Sequence, residues 1–298
     1  MSKSFRIAAA QYDIGEFQHW DQYVAKLEQW VGAAVGNGAQ LLVFPEYASM
    51  ELVSLFQTQV GTDLAKQLTE LQDYLTAYID LHHTMAQKHK VYIVAGSFPA
   101  QSEFGVYHNR VHVFSPQGNI GVQDKLNMTR FEAERWKISA ANEIKVFDAS
   151  AGTLAIDICY DVEFPDQARR QVEAGTKLII VPSCTDTLAG YHRVRIGCQA
   201  RALENQCYVV QAATVGNAPW SEAVDVNIGA AGVFAPPDKG FPDTGVVALG
   251  ELNTPTWVFA DLDFEKVDTV RADGQVLNYR DGKGALGLSD RQVVKVNL

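Results

Sequence analysis

Cysteine is scarce in this chain of 298 residues: Cys159, Cys184, Cys198 and Cys207 are all there are, and no two form a Cys-x-x-Cys pair. Four thiols so spread build no disulfide framework and fit a reducing cytoplasm. No stretch reaches the ~20 apolar residues of a membrane span. The first apolar run, Ile7 to Ala10, is ended at once by Gln11 and Asp13, too short for the core of an export signal. No block of Lys and Arg occurs, and the formal net charge is −10. Nucleic acids and anionic membranes are therefore not expected as partners. Gly and Pro, at 23 and 10, exclude collagenous and low-complexity classes. No Gly-x-Gly-x-x-Gly or phosphate-loop pattern is present, so nucleotide chemistry has no support. The seven histidines offer no metal site. His82 and His83 are adjacent and face different sides of a helix, and His108 and His112 come without a carboxylate or thiolate at ligand spacing.

What is present is an alternation of short apolar runs with helical patterns. Phe5 to Tyr12 reads as a buried strand. Trp20 to Val35 is a helix, with Tyr23, Leu27, Trp30, Val31 and Ala34 at helical spacing, stopped by Gly36-Asn37-Gly38. Gln40 to Phe44 is a second strand, so the unit favours parallel pairing under a crossover helix. Thr62 to Lys90 predicts one long amphipathic helix, and Val91 to Phe98 a strand. Val106 to Phe114 and Ile120 to Lys125 flank Ser115-Pro116-Gln117-Gly118-Asn119 as a hairpin. A further strand pair is expected at Glu143 to Phe147 and Thr153 to Ile158, then a helix over Phe164 to Ala174 with Pro165 in its first turn. Lys177 to Val181 and Cys207 to Thr214 read as strands around a helix at Tyr191 to Asn205. Gly232 to Ala235, Val246 to Leu249 and Trp257 to Asp261 read as later strands. The pattern predicts one α/β domain over residues 1–270, with two mixed sheets and helices outside. The stretch from Asp263 to Leu298 is polar and is expected to wrap the surface or reach a partner subunit, with residues 271–298 as a C-terminal tail.

Three segments place a reactive side chain at or just after a strand end, where α/β sheets gather their ligands. In Leu42-Val43-Phe44-Pro45-Glu46-Tyr47, Pro45 takes the chain out of the sheet and Glu46 follows. A carboxylate facing a partly apolar site there has its pKa raised toward that of a general base. Lys125 follows the second strand of the hairpin, where a fixed ammonium can stabilise an oxyanion. In Ile158-Cys159-Tyr160-Asp161-Val162-Glu163-Phe164-Pro165, Cys159 sits between a strand and a helix start, an elbow that exposes a nucleophile. The helix dipole favours its thiolate, and the Tyr160 N–H is free to bind an oxyanion. Each residue alone has a plainer reading: an exposed glutamate, a solvated lysine, an inert core cysteine. Cys184, after its own strand, competes as nucleophile but lacks a helix start close behind it.

Taken together and in this order, Glu46, Lys125 and Cys159, with Phe-Pro-Glu at the first and Cys-Tyr-Asp…Phe-Pro at the third, closely resemble the nitrilase superfamily of carbon–nitrogen hydrolases. Ala202-Leu203-Glu204-Asn205 resembles a further segment common in that family. The resemblance covers roughly Ile7 to Asp263. It implies a four-layer α-β-β-α sandwich, homodimers or larger homo-oligomers, no metal and no organic cofactor. It implies a Glu46–Lys125–Cys159 triad that hydrolyses a small amide through a thioester. Nitrile and N-carbamoyl substrates use the same triad and remain alternatives, as does a binding or scaffold protein that keeps the fold without turnover. A second glutamate after the lysine orients Lys125 or the substrate; Glu132 fits that place, with Glu134 as competitor. Many amidase-like relatives carry Arg where this chain has Glu163, so an anionic substrate meets a carboxylate instead of a guanidinium. The substrate is therefore not expected to be a dicarboxylate monoamide. The Cys-Tyr-Asp-Val-Glu-Phe-Pro string also resembles a branch sometimes fused to an acetyltransferase domain, and no such domain is read in this sequence.

Overall fold

A computed structural model describes residues 4–150, 152–283 and 292–296. In chain order the elements are β1 (Phe5–Asp13), α1 (Trp20–Gly36), β2 (Leu41–Val43), α2 (Gln57–Val60), α3 (Leu64–Leu71), α4 (Leu75–His89), β3 (Tyr92–Val94), β4 (Phe98–Gln101), β5 (Tyr107–Phe114) and β6 (Ile120–Asp124). Then come β7 (Val146–Ala149), β8 (Gly152–Ile156), α5 (Pro165–Glu173), β9 (Leu178–Ser183), α6 (Leu188–Asn205), β10 (Tyr208–Asn217), β11 (Val226–Asn227), β12 (Gly232–Phe234), β13 (Val246–Leu249), β14 (Thr256–Leu262), α7 (Phe264–Asp273) and α8 (Asn278–Lys283).

The sheet is mixed. β3, β2 and β1 run parallel, as do β8, β9 and β10. Antiparallel strands extend each set. β5 lies on β3 and carries β4 and β6, and β14 lines β1 from Phe5 to Gln11. On the other side β7 pairs β8, and β12 pairs β10 and β13. The two expected sheets are thus two halves of one curled sheet. Among the described residues their strands pair where Gln11, Tyr12 and Asp13 of β1 meet Ala213, Thr214 and Val215 of β10.

Strand β1 shows why its sequence is apolar on both faces. Ile7 and Ala9 enter a core shared with Ile156, Ile180 and Val210 from the other half. Ala8, Ala10 and Tyr12 face the opposite way, onto Leu27 and Val31 of α1 and Met85 of α4. A strand covered on both sides has no polar alternation to show. Helix α1 turns one stripe inward, Tyr23, Leu27, Val31 and Ala34, as its spacing predicts.

Two expectations need correction. The long helix over residues 62–90 is broken by a 3₁₀ turn, Gln72–Tyr74, between α3 and α4. The turn lets Gln72 reach β4: its Nε2 donates to the Pro99 carbonyl at 2.8 Å, and its Oε1 accepts from the Gln101 N–H at 2.9 Å. The polar segment after Asp263 is not wholly a surface wrap either. Asp263 caps α7 by accepting from the Glu265 N–H at 3.0 Å, and Val267 and Val270 of that helix are buried. The expected tail, 271–298, lies partly outside the described residues. No helix among the described residues is long and apolar enough to cross a membrane.

Candidate active site

Strand β2 ends just before Pro45, and the next two residues turn back on themselves. Tyr47 has φ +57°, an unusual value for an aromatic residue. The surrounding core holds the turn there. The Glu46 carbonyl accepts from Thr214 Oγ1 at 2.7 Å, and the Tyr47 N–H donates to Ser97 Oγ at 2.9 Å. Glu46 is left 1% exposed.

Lys125 follows β6 directly. Its N–H donates to the Asn109 carbonyl and its own carbonyl accepts from the Ala141 N–H, both at 2.9 Å. Its ammonium, 1% exposed, donates to Glu46 Oε1 at 2.8 Å and to Glu132 Oε2 and Oε1 at 2.7 and 2.9 Å. Glu132 arrives on a π-helical turn, Phe131–Trp136. It also accepts from Tyr47 Oη at 2.6 Å, Asn109 Nδ2 at 3.1 Å, and the Thr129 N–H and Oγ1, each at 2.9 Å. The competitor Glu134 faces solvent and forks onto Arg130.

Cys159 opens a 3₁₀ turn, Cys159–Glu163, between β8 and α5. Its φ is +52°, a left-handed elbow at the expected strand-to-turn position, but the residue is buried rather than exposed as expected. The thiol, in a residue 5% exposed, points toward the Cys184 carbonyl at 3.7 Å. The Cys184 N–H meanwhile donates to Glu46 Oε2 at 3.0 Å, so the backbone of one residue touches both the carboxylate and the sulfur through its two adjoining peptides. These groups line a cavity of about 340 Å³, with Tyr47, Phe131 and Trp136 as aromatic wall and Arg130, Asp186, Arg193, Glu222 and Asp225 among its charged residues.

Burial sets the proton inventory. It pushes the Glu46 carboxyl up to about 7, against the pull of Lys125 and with the help of the Glu132 charge. Burial acts the same way on Glu132, but Lys125, Tyr47 and the Thr129 N–H outweigh it and hold that carboxyl below its ordinary range. For Lys125, burial favours the neutral amine, and Glu132 and Glu46 override it, so the ammonium persists. Burial lifts the Cys159 thiol well above its usual value; the Glu46 charge adds to the effect and Lys125 opposes it. This corrects the expectation of a helix-stabilised thiolate. Helix α5 starts only at Pro165, and the low-dielectric setting keeps the resting sulfur protonated.

The chain thus brings Glu46, Lys125, Glu132 and Cys159 together across long sequence separations. Tyr160 stands beside them with its ring against Phe164, centroids 4.9 Å apart. As second residue of the 3₁₀ turn, its N–H has no acceptor within that turn. Glu163 is not part of the cavity wall: it stands behind Arg193, which is, with Oε1 3.5 Å from the guanidinium. Sequence reasoning missed Asn109, whose Nδ2 bridges Glu46 and Glu132 at 2.9 and 3.1 Å, and Tyr47. Asn109 carries no signal in the sequence, being one polar residue in a hairpin strand. Tyr47 is signalled only by following Glu46. The thiol of Cys184 faces Asn227 Oδ1 at 3.0 Å. Among the described residues, no group of three His, Cys, Asp or Glu side chains could hold a metal ion.

A curled mixed sheet with a buried thiol, carboxylate and ammonium at its strand ends makes an α/β protein with one cavity that gathers a candidate nucleophile, base and cation. The family model described as carbon-nitrogen hydrolase matches residues 6–271, and the chain belongs to that family. It is 36% identical over 276 residues to "Probable hydrolase YhcX" of Bacillus subtilis, covering 93% of this chain and 53% of the relative, so it spans about half that protein's length. It is 26% identical over 280 residues to "Omega-amidase NIT2" of Danio rerio, covering 91% of this chain and 92% of the other. Among solved structures, a carbon–nitrogen hydrolase from Helicobacter pylori G27 superposes with a TM-score of 0.75 at 18% identity, over 90% and 92% of the two chains. An amidase from Nesterenkonia sp. AN1, in a variant with the acetamide moiety of fluoroacetamide added at its active-site cysteine, gives 0.68 at 20%, over 96% of both.

Proposed function

We propose that the protein hydrolyses the carbon–nitrogen bond of a small amide by way of a thioester on Cys159. The observation that carries this reading is the meeting of a buried thiol, a carboxyl poised near neutral pH and a persistent ammonium in one cavity. Glu46 takes the thiol proton, and the thiolate attacks the amide carbon. Negative charge moves to the substrate oxygen, where the Lys125 ammonium and the Tyr160 N–H stabilise it. The carbon–nitrogen bond breaks as the nitrogen takes the proton from Glu46, leaving as ammonia or an amine. Water then gives a proton to Glu46 and attacks the thioester, releasing the acid and restoring the thiol. Glu132 keeps its charge throughout and holds Lys125 in place.

The amide reading is also supported by what the relatives are called, an omega-amidase and an amidase alkylated at its cysteine. For the substrate itself we favour a neutral or cationic amide over a dicarboxylate monoamide. The two guanidiniums of the cavity wall are already matched, Arg130 by Glu134 and Arg193 by Glu163.

The test is ammonia release across a panel of amides, N-carbamoyl compounds and nitriles. At least one amide should be turned over, and Cys159→Ala should lower that rate by at least about 10⁴-fold. Turnover that survives in Cys159→Ala would remove Cys159 as nucleophile. Turnover confined to nitriles would move the reaction to that alternative.

A further inference from the structure

Asp161 sits two residues after Cys159 and is 1% exposed. No step above uses it, yet its carboxylate is the acceptor for two separate segments. Oδ1 accepts from the Asn127 N–H at 2.7 Å, Asn127 Nδ2 at 3.0 Å and the Leu126 N–H at 3.2 Å. Oδ2 accepts from the Ile158 N–H at 3.1 Å and from the Leu126 N–H at 3.3 Å. Leu126 and Asn127 are the two residues after Lys125, and Ile158 is the residue before Cys159. One buried carboxylate therefore ties the loop of the ammonium to the turn of the sulfur. The tie extends to α5, where Asn127 Nδ2 also reaches Gln167 Oε1 at 3.1 Å, and Gln167 in turn donates to Asp157 Oδ1 at 2.7 Å.

We infer that Asp161 is a positioning residue that sets the separation of Lys125 from Cys159. The inference rests on the proposed use of those two side chains. Its physical ground is that both loops leave strand ends that are far apart in sequence, and that the attack needs sulfur and ammonium fixed relative to one carbonyl. A buried anion with N–H donors on both oxygens does this in one geometry. An amide at this position cannot. It has one acceptor oxygen, so its NH₂ must face N–H donors of either the lysine loop or the cysteine turn.

The experiment compares Asp161→Asn, Asp161→Glu and Asn127→Ala with the unaltered protein. Three quantities are read: the rate of iodoacetamide alkylation at Cys159 by peptide mass mapping, kcat and KM for an amide that is turned over, and thermal unfolding. Rates are expressed per folded, titratable Cys159. Asp161→Asn should lower kcat by about 10²-fold, the effect of a misplacement near 1 Å, with KM much less changed. Alkylation at Cys159 should slow at least about tenfold, while Cys184 labels as before. Asp161→Glu keeps the charge but lengthens the arm, and should lose a comparable factor; it carries the test if Asp161→Asn does not fold. Asn127→Ala removes one donor of four and should stay within a few-fold of the unaltered protein. A folded Asp161→Asn or Asp161→Glu with unaltered kcat and alkylation per site overturns the inference, as does a loss explained by the unfolded fraction alone. If the unaltered protein turns over no amide at all, the amidase reading fails, but the alkylation arm still decides the role of Asp161.

Discussion

Two glutamates share one lysine, and their different surroundings give them different work. Glu132 has several strong donors and stays ionised. Glu46 has fewer, and burial brings its carboxyl to about 7. If Glu46 is the base it must be ionised, so kcat/KM should climb as pH rises through 7 and level off above it. A profile flat from pH 5 to 9 would rule out that role. The same shift predicts a stability effect of definite sign. A carboxyl whose folded pKa is raised binds its proton more tightly when folded. Near pH 4.5 the ionised form costs little, and the cost grows as pH rises toward 7 and persists above. Glu46→Gln should therefore be inactive, and whatever its amide costs by facing the donors on Glu46, its stability relative to the unaltered protein should rise by roughly 1–3 kcal/mol between pH 4.5 and pH 8. Denaturant unfolding at the two pH values checks this. At this scale Glu46, Lys125 and Cys159 were legible only together, from their order and the motifs around them, since each strand-end residue alone has a plainer reading. Asn109 and Asp161 were not. One is a polar residue inside a strand, the other an acid inside a motif read for its cysteine, and only the folded chain shows what they face.

Between residue and whole, the elements that matter are the turns after β2 and β8, both opened into left-handed backbone by a residue other than glycine. Such turns hold only if their neighbours leave no other space. Behind the first stands Gly96, in the connection from β3 to β4. A Cβ added there would meet Ala48 Cβ at 2.6 Å and the Pro45 carbonyl oxygen at 2.8 Å. Ala48 and Pro45 flank Glu46 and Tyr47, and a carbonyl has no rotamer with which to yield. Gly96→Ala should cost about 1–3 kcal/mol of stability by overpacking and displace Glu46, with activity falling further than the folded fraction does. Thermal unfolding and turnover measured together test it; an unchanged pair would show that the turn can adapt. The strand and helix pattern was largely readable, because α1 and the β5–β6 hairpin repeat their apolar residues at the spacing of their element and β1 is a short unbroken apolar run. The break at Gln72 and the helix α7 were not. The first follows from a side chain bonding to β4, and the second buries only Val267 and Val270 in a polar stretch.

At the scale of the whole molecule, the field at the cavity decides which substrates approach. The chain carries a net charge of −10. Around the mouth, Glu222 faces Arg135 at 2.5 Å, and Arg130 and Arg193 face glutamates of their own. Asp186 and Asp225, both exposed, have no ion pair among the described residues. Each paired charge largely cancels at a distance, so the unpaired carboxylates and the net charge set the sign of the potential. Three amides of matched size, with an ammonium, a hydroxyl or a carboxylate at the end remote from the amide, separate this field from fit. At low salt kcat/KM should fall in that order. The spread should narrow with added sodium chloride, because screening shortens from roughly 30 Å at 0.01 M to about 3 Å at 1 M. Asp186→Asn with Asp225→Asn should narrow it at low salt as well, and leave the hydroxyl compound unaffected. A carboxylate compound turned over best at every salt concentration would mean that Arg193 is released from Glu163 on binding, and that local pairing, not the molecule's charge, governs recognition.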